Sequence, residues 1–336
     1  MEVQQANPWR LCVAPMMDWT DRHCRYFHRR LSPHARLYTE MVTAAALVRG
    51  ERAHLLAYNP EEHPVALQLG GADPVELAQA SRHGEQAGYD EINLNVGCPS
   101  DRVQSGRFGA CLMREPELVA DCVRAVREAV ADSGRDVPVT VKCRIGVDDQ
   151  DDDADLFAFA ARMIDAGVEV LIVHARKAWL QGLSPKQNRE IPPLNYPRVY
   201  RLKQEFPELR VIINGGIDGL PAVEEHLRHV DGVMLGRLAY HDPYALARID
   251  AALHGGAPPT REAVLRSMRP YVEAECARGV RLASITRHVL GLYHGEAGGK
   301  VFRRVLSERA RAEGAGWEAV AAALAQVEGR TMRATA

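Results

Sequence analysis

The stretch EINLNVGCPS, residues Glu91 to Ser100, decides the fold of this chain. Its apolar residues alternate with polar ones and a Gly-Cys-Pro turn follows, which predicts a short buried strand that ends in a turn. Because side chains alternate along a strand, Asn93 and Asn95 are expected on the face opposite the apolar residues. Cys98 would follow the carboxyl end of the strand, where a thiol is either a catalytic acid or a small buried apolar group.

Similar apolar segments recur along the chain and are separated by amphipathic helical patterns. The predicted strands are Leu11–Pro15, Leu37–Glu40, Val65–Gly70, Glu91–Gly97, Val139–Arg144, Glu169–Ala175, Arg210–Gly215 and Asp231–Gly236. The helical patterns include Pro74–Ala87, Pro116–Ala131, Asp155–Ala166, Tyr196–Phe206 and Leu220–His229. Nearly continuous hydrophobicity is typical of parallel strands that are covered on both faces. Eight strands alternating with helices predict a TIM (β/α)₈ barrel rather than a doubly wound sheet.

After Tyr244 the strand pattern stops and only helical patterns follow. The predicted helices are Arg261–Arg278, Leu282–Tyr293, Arg303–Gly314 and Trp317–Val327, after a Gly-Gly and Pro-Pro linker at His254–Thr260. Residues 245–336 carry 14 Lys and Arg against 9 Asp and Glu, a net charge of +5, which leaves −7 for residues 1–244. We predict a catalytic barrel over 1–244 and a helical domain over 245–336. The basic charge suits an anionic partner, with ordinary variation in surface charge as the alternative.

The composition excludes several other classes of protein. A hydrophobic content of 46% with 26% charged residues is that of an ordinary soluble protein, and no run of 18 apolar residues could cross a membrane. The polar segment Met1–Arg10 lacks an export signal, and the seven cysteines form no C-x-x-C pair, so we expect a reducing cytoplasm. The segment Asp148–Asp155 lacks the central glycine and terminal glutamate of a calcium loop. It is predicted to be a solvated acidic loop, and no metal site is expected.

Residues with chemical potential follow the predicted strands at their carboxyl ends, where barrels of this kind carry their active sites. A lysine such as Lys142 inside a buried strand is costly unless it meets an anion. The glycine-rich ends of the last two strands suit a phosphate group, although tight turns also require glycine. His174 is either a core histidine with satisfied nitrogens or a functional residue. Together these features predict a flat, phosphate-bearing cofactor such as FMN, with Gln68 at the edge of the ring system and Lys142 stabilising negative charge on it.

The chain resembles the tRNA-dihydrouridine synthases, specifically their A subfamily. The matching segments are Val13–Met16, Tyr38–Met41, Asp90–Ser100, Val141-Lys142, Val173–Arg176, Ser184–Lys186, Asn188–Leu194, Asn214–Ile217 and Leu235–Arg237. The resemblance implies an FMN-dependent, NADPH-consuming reduction of uridine to 5,6-dihydrouridine in the D-loop of tRNA, at positions 20 and 20a. It further implies that a hydride passes from flavin N5 to C6 of the uracil while Cys98 gives a proton to C5. The base must leave its stack for this reaction.

The resemblance also implies the roles of particular residues. FMN contacts would come from Pro15, Met16, Met17, Gln68, Lys142, His174, Asn214, Gly215, Gly216, Gly236 and Arg237. Asn95 and Arg176 would contact the uracil or its surroundings. For the remainder of the tRNA we predict contacts from Lys186, Arg189, Arg303 and Arg304, with a solvated helix face as the alternative for the last two. No obligate protein partner is expected. A flavin reductase of small molecules and a non-catalytic RNA-binding barrel stay open as rival functions.

Overall fold

The computed structural model describes residues 7–100, 103, 106–131, 134–150 and 152–334 of the chain. The strands in these ranges are β1 (Leu11–Val13), β2 (Arg36–Tyr38), β3 (Val42–Thr43), β4 (Val65–Gly70), β5 (Glu91–Val96), β6 (Val139–Arg144), β7 (Val170–His174), β8 (Arg210–Asn214) and β9 (Gly232–Leu235). The α-helices are α1 (Arg22–Leu31), α2 (Ala44–Arg49), α3 (Arg52–Leu55), α4 (Pro74–Ala87), α5 (Pro116–Ala131), α6 (Asp153–Asp165), α7 (Tyr196–Glu205), α8 (Leu220–His226), α9 (Arg237–His241), α10 (Pro243–His254), α11 (Arg261–Ser267), α12 (Arg269–Ala277), α13 (Leu282–Thr286), α14 (Gly299–Arg309) and α15 (Trp317–Ala334).

Eight parallel strands close into a barrel within the described part of the chain. Strand β1 pairs with both β9 and β2, β2 pairs with β4, and the remaining neighbours follow in chain order from β4 to β9. The short β3 pairs only with the end of β4. This arrangement confirms the predicted TIM barrel with a helical region after it. Because all strands run in the same direction, their carboxyl ends meet at one face.

The predicted strand limits are close to the observed ones. Both ends of Val65–Gly70 and Val139–Arg144 are confirmed. Strand β1 ends two residues before Pro15, because proline has no N–H group for the ladder. Strand β8 ends before Gly215, whose φ of +113° turns the backbone out of the extended conformation.

The barrel interior contains an apolar layer built from inward-facing residues of several strands. The cluster comprises Trp9, Cys12, Ala14, Tyr38, Ala66, Val170, Ile172, Ile212 and Met234, with Met16 packed against it. These residues occupy alternate positions along their strands, as the period of two requires.

A buried carboxylate lies at the amino end of β5. Glu91 has no exposed surface and accepts hydrogen bonds from Trp9 Nε1 at 2.7 Å and from Tyr38 Oη at 2.8 Å. Arg36 Nη1 donates to it at 3.1 Å and Thr140 Oγ1 at 2.5 Å. Four donors, one of them a buried cation, therefore compensate for the loss of water around this charge.

The chain divides into two compact units. The first comprises 1–17, 35–217 and 221–236 and contains the barrel strands, whereas the second comprises 18–34, 218–220 and 237–336. The helix Arg22–Leu31 therefore belongs to the same unit as the C-terminal helices. The assignment of cofactor binding to 1–244 and of tRNA binding to 245–336 stays a prediction.

Each of the four helices predicted for the C-terminal region differs from the structure in at least one limit. Arg303–Gly314 is observed as Gly299–Arg309, and the helix that begins at Trp317 continues to Ala334. The predicted helix Arg261–Arg278 is divided at Met268, because Pro270 in the first turn of α12 has no N–H group to continue the hydrogen-bond ladder. The predicted helix Leu282–Tyr293 ends at Thr286.

Two side chains that follow α13 contact a residue that is distant in the sequence. Arg287 Nη2 and His288 Nε2 lie 2.5 and 3.1 Å from Asp21 Oδ2. Burial alone would raise the pKa of Asp21, but the hydrogen bonds from His288 and Arg287 hold it well below its ordinary value. Asp21 also caps α1, with its carboxylate accepting from the N–H groups of His23 and Cys24.

The acidic segment between β6 and α6 is not simply solvated as predicted. Asp148 Oδ1 accepts the N–H of Leu180 at 2.8 Å, and Asp152 caps α6. Asp153 pairs with Arg201 at 2.5 Å. Asp151 lies outside the described residues. Among the described helices, none combines the length and the hydropathy that a membrane crossing requires.

Candidate functional site

The Cys98 thiol lies in a turn that directly follows β5. Cys98 is half-buried. Asn95 Oδ1 accepts the N–H of Cys98 at 3.0 Å and the N–H of Gly97 at 3.1 Å. The Cys98 carbonyl accepts the N–H of Ala110 at 2.9 Å, and Sγ lies 3.6 Å from Ser100 Oγ. The backbone on both sides of the thiol is therefore fixed, while the side chain keeps access to solvent.

A line of hydrogen-bonded side chains connects this turn to the buried Glu91. Thr140 donates to Glu91, and Asn93 Nδ2 donates to Thr140 Oγ1 at 2.7 Å. Gln68 Nε2 donates to Asn93 Oδ1 at 2.7 Å, and Asn95 Nδ2 donates to Gln68 Oε1 at 2.8 Å. Because an ionised carboxylate only accepts, every hydroxyl and amide along the line has a defined orientation.

Arg144, the last residue of β6, holds the same turn from the other side. Its Nε donates to the Gly97 carbonyl at 2.9 Å, and its Nη1 donates to the carbonyls of Lys177 at 3.0 Å and Asn188 at 2.9 Å. Burial, followed by the charges nearby, lowers the pKa of Arg144 to about 10. This guanidinium therefore connects the Cys98 turn with the loop that follows β7.

Lys142 lies on β6 with its ammonium group in the barrel mouth. Its Nζ donates to Asn214 Oδ1 at 3.1 Å, and no carboxylate of the described residues pairs with it. Burial, and next the charge of Arg144, lower the pKa of Lys142 to about 8. A half-buried cation with a neutral partner favours an anionic ligand.

His174 at the end of β7 adds to the same electrostatic environment. Burial, followed by the charges of Arg144 and Lys142, holds the pKa of His174 well below its ordinary value. Within the described residues neither ring nitrogen has a hydrogen-bond partner. The side chain is thus a neutral imidazole whose nitrogens are available to a ligand, in a mouth that is otherwise cationic.

The glycines after β8 and β9 are required for different reasons. Gly215 has φ of +113°, and a Cβ atom there would lie 2.6 Å from the His174 ring. Gly216 has φ of +68°. Both residues therefore have a left-handed backbone conformation that favours glycine, which a turn alone explains. Gly236 has no such requirement, because a Cβ atom there would meet nothing within 4 Å. The space beside Gly236 is thus open to a group that approaches the backbone closely.

The other residues predicted for the site lie on the loops after the strands. Pro15 and Met16 are half-buried after β1, and Met17 is 57% exposed. Arg176 donates to the carbonyls of Glu190 and Pro192, so it already holds the loop that follows β7. Its contact with the uracil stays a prediction.

The loop after β7 also exposes basic and aromatic side chains. Lys186 and Arg189 are exposed, and neither forms an ion pair with a described carboxylate. Trp179 is 43% exposed, with Lys177 Nζ 5.1 Å from its ring centroid. Asn188 fixes this loop, because its side chain accepts the N–H of Trp179 at 2.8 Å and donates to the Trp179 carbonyl at 2.9 Å.

Three predicted contacts belong to the second unit. Arg237 is the first residue of α9 and is exposed. Arg303 and Arg304 lie on α14, are exposed, and form no ion pair with the carboxylates that the structure describes. Two adjacent cations without counter-charges suit an anionic partner.

The sequence did not reveal which residues position the others. Arg144 was expected at the end of its strand on the same face as Lys142, but no role was assigned to it, and the structure shows it buried. Asn188 and Thr140 carried no usable signal, because their partners are distant in the sequence or are backbone groups of a loop.

Comparison with known proteins identifies close relatives. The profile of the dihydrouridine synthase (Dus) family matches residues 12–328. A protein of Xanthomonas axonopodis pv. citri named tRNA-dihydrouridine(20/20a) synthase is 59% identical over 327 residues, which cover 97% of this chain and 96% of the relative. A protein of the same name from Vibrio cholerae is 56% identical over 321 residues, covering 95% of this chain and 96% of the relative.

The fold also resembles that of a solved structure. Morphinone reductase in complex with tetrahydroNAD superposes with a TM-score of 0.50 at 14% identity, over 76% of this chain and 90% of that chain. At this identity the likeness concerns the fold alone.

Proposed function

Because this chain belongs to the dihydrouridine synthase family, we propose that it reduces uridine to 5,6-dihydrouridine in the D-loop of tRNA, at positions 20 and 20a. FMN is the proposed cofactor and NADPH the proposed reductant. The observation that carries the proposal is the Cys98 thiol, held by Asn95 and Arg144 at the mouth of a cation-rich barrel. The names of the Xanthomonas and Vibrio relatives support the substrate. The seven free cysteines support a reducing cytoplasm.

The donor groups of the mouth suit a flavin mononucleotide. Lys142 and His174 offer a cation and two unpartnered ring nitrogens, and the open space beside Gly236 suits a phosphate. Gln68 keeps one amide hydrogen for the edge of the ring system after its bond to Asn93. When bound and reduced, the flavin supplies a hydride for C6 of the uracil. We assign the remaining FMN contacts to Pro15, Met16, Met17, Asn214, Gly215, Gly216 and Arg237.

In this reaction the protein itself carries out a proton transfer. The Cys98 thiol donates its proton to C5 of the uracil, and the fixed backbone of its turn keeps Sγ in place while the bond forms. Asn95 keeps one amide hydrogen for the base after its bond to Gln68. Arg176 contacts the base or its neighbourhood. Lys186 and Arg189 hold the RNA backbone, so the everted nucleotide does not bind alone.

The reaction is tested by offering the purified, flavin-loaded enzyme two substrates. Unmodified tRNA transcript should support NADPH oxidation, and mass spectrometry should locate dihydrouridine at positions 20 and 20a. Free uridine and uracil should support almost none. Strong turnover of the free base would instead identify a small-molecule reductase, and a protein that cannot be loaded with FMN would contradict the proposal altogether.

The charge of Lys142 should control flavin affinity. Lys142→Gln removes a charge-assisted hydrogen bond, so we expect FMN to bind about 10- to 100-fold more weakly. Since the pKa of Lys142 is about 8, the ammonium group loses its charge above that pH. The affinity of the unaltered chain should therefore fall between pH 7 and 9, and that of the variant should not. Quenching of flavin fluorescence measures the FMN affinity of both proteins at each pH. The control is Lys203→Gln, because Lys203 pairs with Asp231 on another part of the barrel.

The two exposed arginines of α14 should contribute to tRNA affinity. Arg303→Glu together with Arg304→Glu should weaken tRNA binding at least about tenfold at 100 mM salt and reduce the slope of log K against log salt by about 1 to 2. Flavin content should not change. The control is Arg266→Glu with Arg269→Glu, which makes the same change in charge at arginines already paired with Glu262 and Glu273. An equal loss in both double variants would show a general charge effect and refute a specific contact.

A further inference from the structure

Two histidines and one aspartate form a cluster in the second unit that the proposed reaction does not use. One ring nitrogen from His34, one from His254 and a carboxylate oxygen of Asp250 all lie within 4.8 Å of one another. His34 Nδ1 is 3.0 Å from Asp250 Oδ2, and His254 Nδ1 is 3.6 Å from Asp250 Oδ1. Two ligands of a tetrahedral zinc ion stand about 3.4 Å apart. Both separations are within a few tenths of an ångström of that value.

The aspartate of this cluster lacks a permanent counter-charge. The Asp250 side chain is only 6% exposed, yet no lysine or arginine of the described residues pairs with it. The neutral hydroxyl of Ser32 also donates to Oδ1 of this carboxylate at 2.5 Å. A buried carboxylate surrounded by imidazoles and a hydroxyl favours the binding of a cation.

The surroundings of the cluster suit a metal ion. The rings of His34 and His254 are stacked with centroids 4.3 Å apart, and a nitrogen of each lies near the Asp250 carboxylate, while His254 Nδ1 also lies 3.1 Å from the Asp250 carbonyl. The Ser32 hydroxyl fixes the orientation of that carboxylate, as outer-shell groups do at metal sites. The His34 side chain is 51% exposed, which leaves one side of the cluster open to water.

We propose that His34, Asp250 and His254 bind one divalent transition-metal ion, with water as the fourth ligand. Imidazole and carboxylate together suit Zn²⁺. Asp250 and His254 stand four residues apart on α10, whereas His34 follows the end of α1. The ion joins these two helices of the second unit and raises its stability.

The test is a calorimetric titration with Zn²⁺. The sample is the flavin-loaded, full-length chain, which carries no affinity tag and has been treated with a chelator. We expect one ion per chain. His34→Gln and His254→Gln should each weaken binding at least about tenfold, since even the loss of outer-shell partners costs 10- to 100-fold. In the unaltered chain Zn²⁺ should also raise the melting temperature, and it should not do so in either variant.

A matched control comes from His229, which lies 3.2 Å from Glu225 at the same four-residue spacing but belongs to no three-ligand cluster among the residues that the structure describes. His229→Gln should bind Zn²⁺ as the unaltered chain does. The proposal is overturned if the unaltered chain shows no saturable binding of Zn²⁺. It is also overturned if the double variant His34→Gln, His254→Gln binds with unchanged affinity, because the ion would then be held elsewhere, for example by thiols.

Discussion

An enzyme with Cys98 replaced by alanine should bind FMN and accept electrons from NADPH as before, yet form dihydrouridine about 10²- to 10⁴-fold more slowly. The factor is the usual contribution of a positioned general acid. Cofactor binding should survive because the turn is held through backbone groups, namely the N–H of Cys98 and the carbonyl of Gly97, which alanine leaves in place. Single-turnover reduction of tRNA by the pre-reduced enzyme, followed by mass spectrometry, measures the loss directly.

The control for this prediction is another half-buried free thiol. Cys276 lies in the second unit with Sγ 3.9 Å from the Ala315 carbonyl, so Cys276→Ala should leave the rate unchanged. Normal turnover by Cys98→Ala would show that another group protonates C5, and loss of flavin from the variant would show a structural role for the thiol. Cys98→Ser, a weaker acid of nearly the same shape, should restore little of the rate.

The barrel itself could be predicted because its signals are local. Parallel strands buried on both faces must be apolar over their whole length, and segments such as Val65–Gly70 and Val139–Arg144 meet that requirement without reference to the rest of the chain. Helix α1 was missed for the opposite reason. Its sequence RHCRYFHRRL is too polar to be recognised as a buried helix.

The burial of α1 depends on partners that are distant in the sequence. His23 Nδ1 lies 2.6 Å from Tyr271 Oη, and His28 Nε2 lies 2.9 Å from the Ala239 carbonyl. Burial lowers the pKa of both histidines to about 4, so they pack as neutral rings. A sequence pattern read over ten residues holds no information on such contacts.

The same distinction between local and distant signals applies to the residues of the candidate site. Cys98 and Lys142 could be singled out because a thiol after a strand and a lysine within one are unusual in themselves, and their roles stay predictions. The hydrogen-bonded line from Glu91 to Asn95 could not be predicted, since it combines residues of three strands whose register is set by the closure of the barrel. The sequence therefore indicates candidate reactive groups but not the hydrogen bonds around them.

Replacement of Glu91 by alanine should lower the free energy of unfolding by about 3–5 kcal/mol, the usual effect of removing one partner of a buried ion pair. The Arg36 guanidinium, 7% exposed, would lose the carboxylate that it pairs with, and the donors of Trp9 and Tyr38 would lose their acceptor. Urea denaturation of the flavin-free chain measures the change. Glu225→Ala, which removes an exposed carboxylate paired with Arg228, is the control and should change stability by less than about 0.5 kcal/mol.

A double-mutant cycle separates the ion pair from the packing of Glu91. If the cost comes from an uncompensated charge, Arg36→Met should reduce the damage done by Glu91→Ala, and the two changes together should cost less than their sum. Strict additivity would mean that the charges do not stabilise each other. The variant Glu91→Gln keeps the shape but gives Thr140 and Tyr38 a group that can also donate. Where Glu91→Gln still folds, the orientation of Asn93 and Gln68 is no longer defined, and dihydrouridine formation should fall more than flavin binding does.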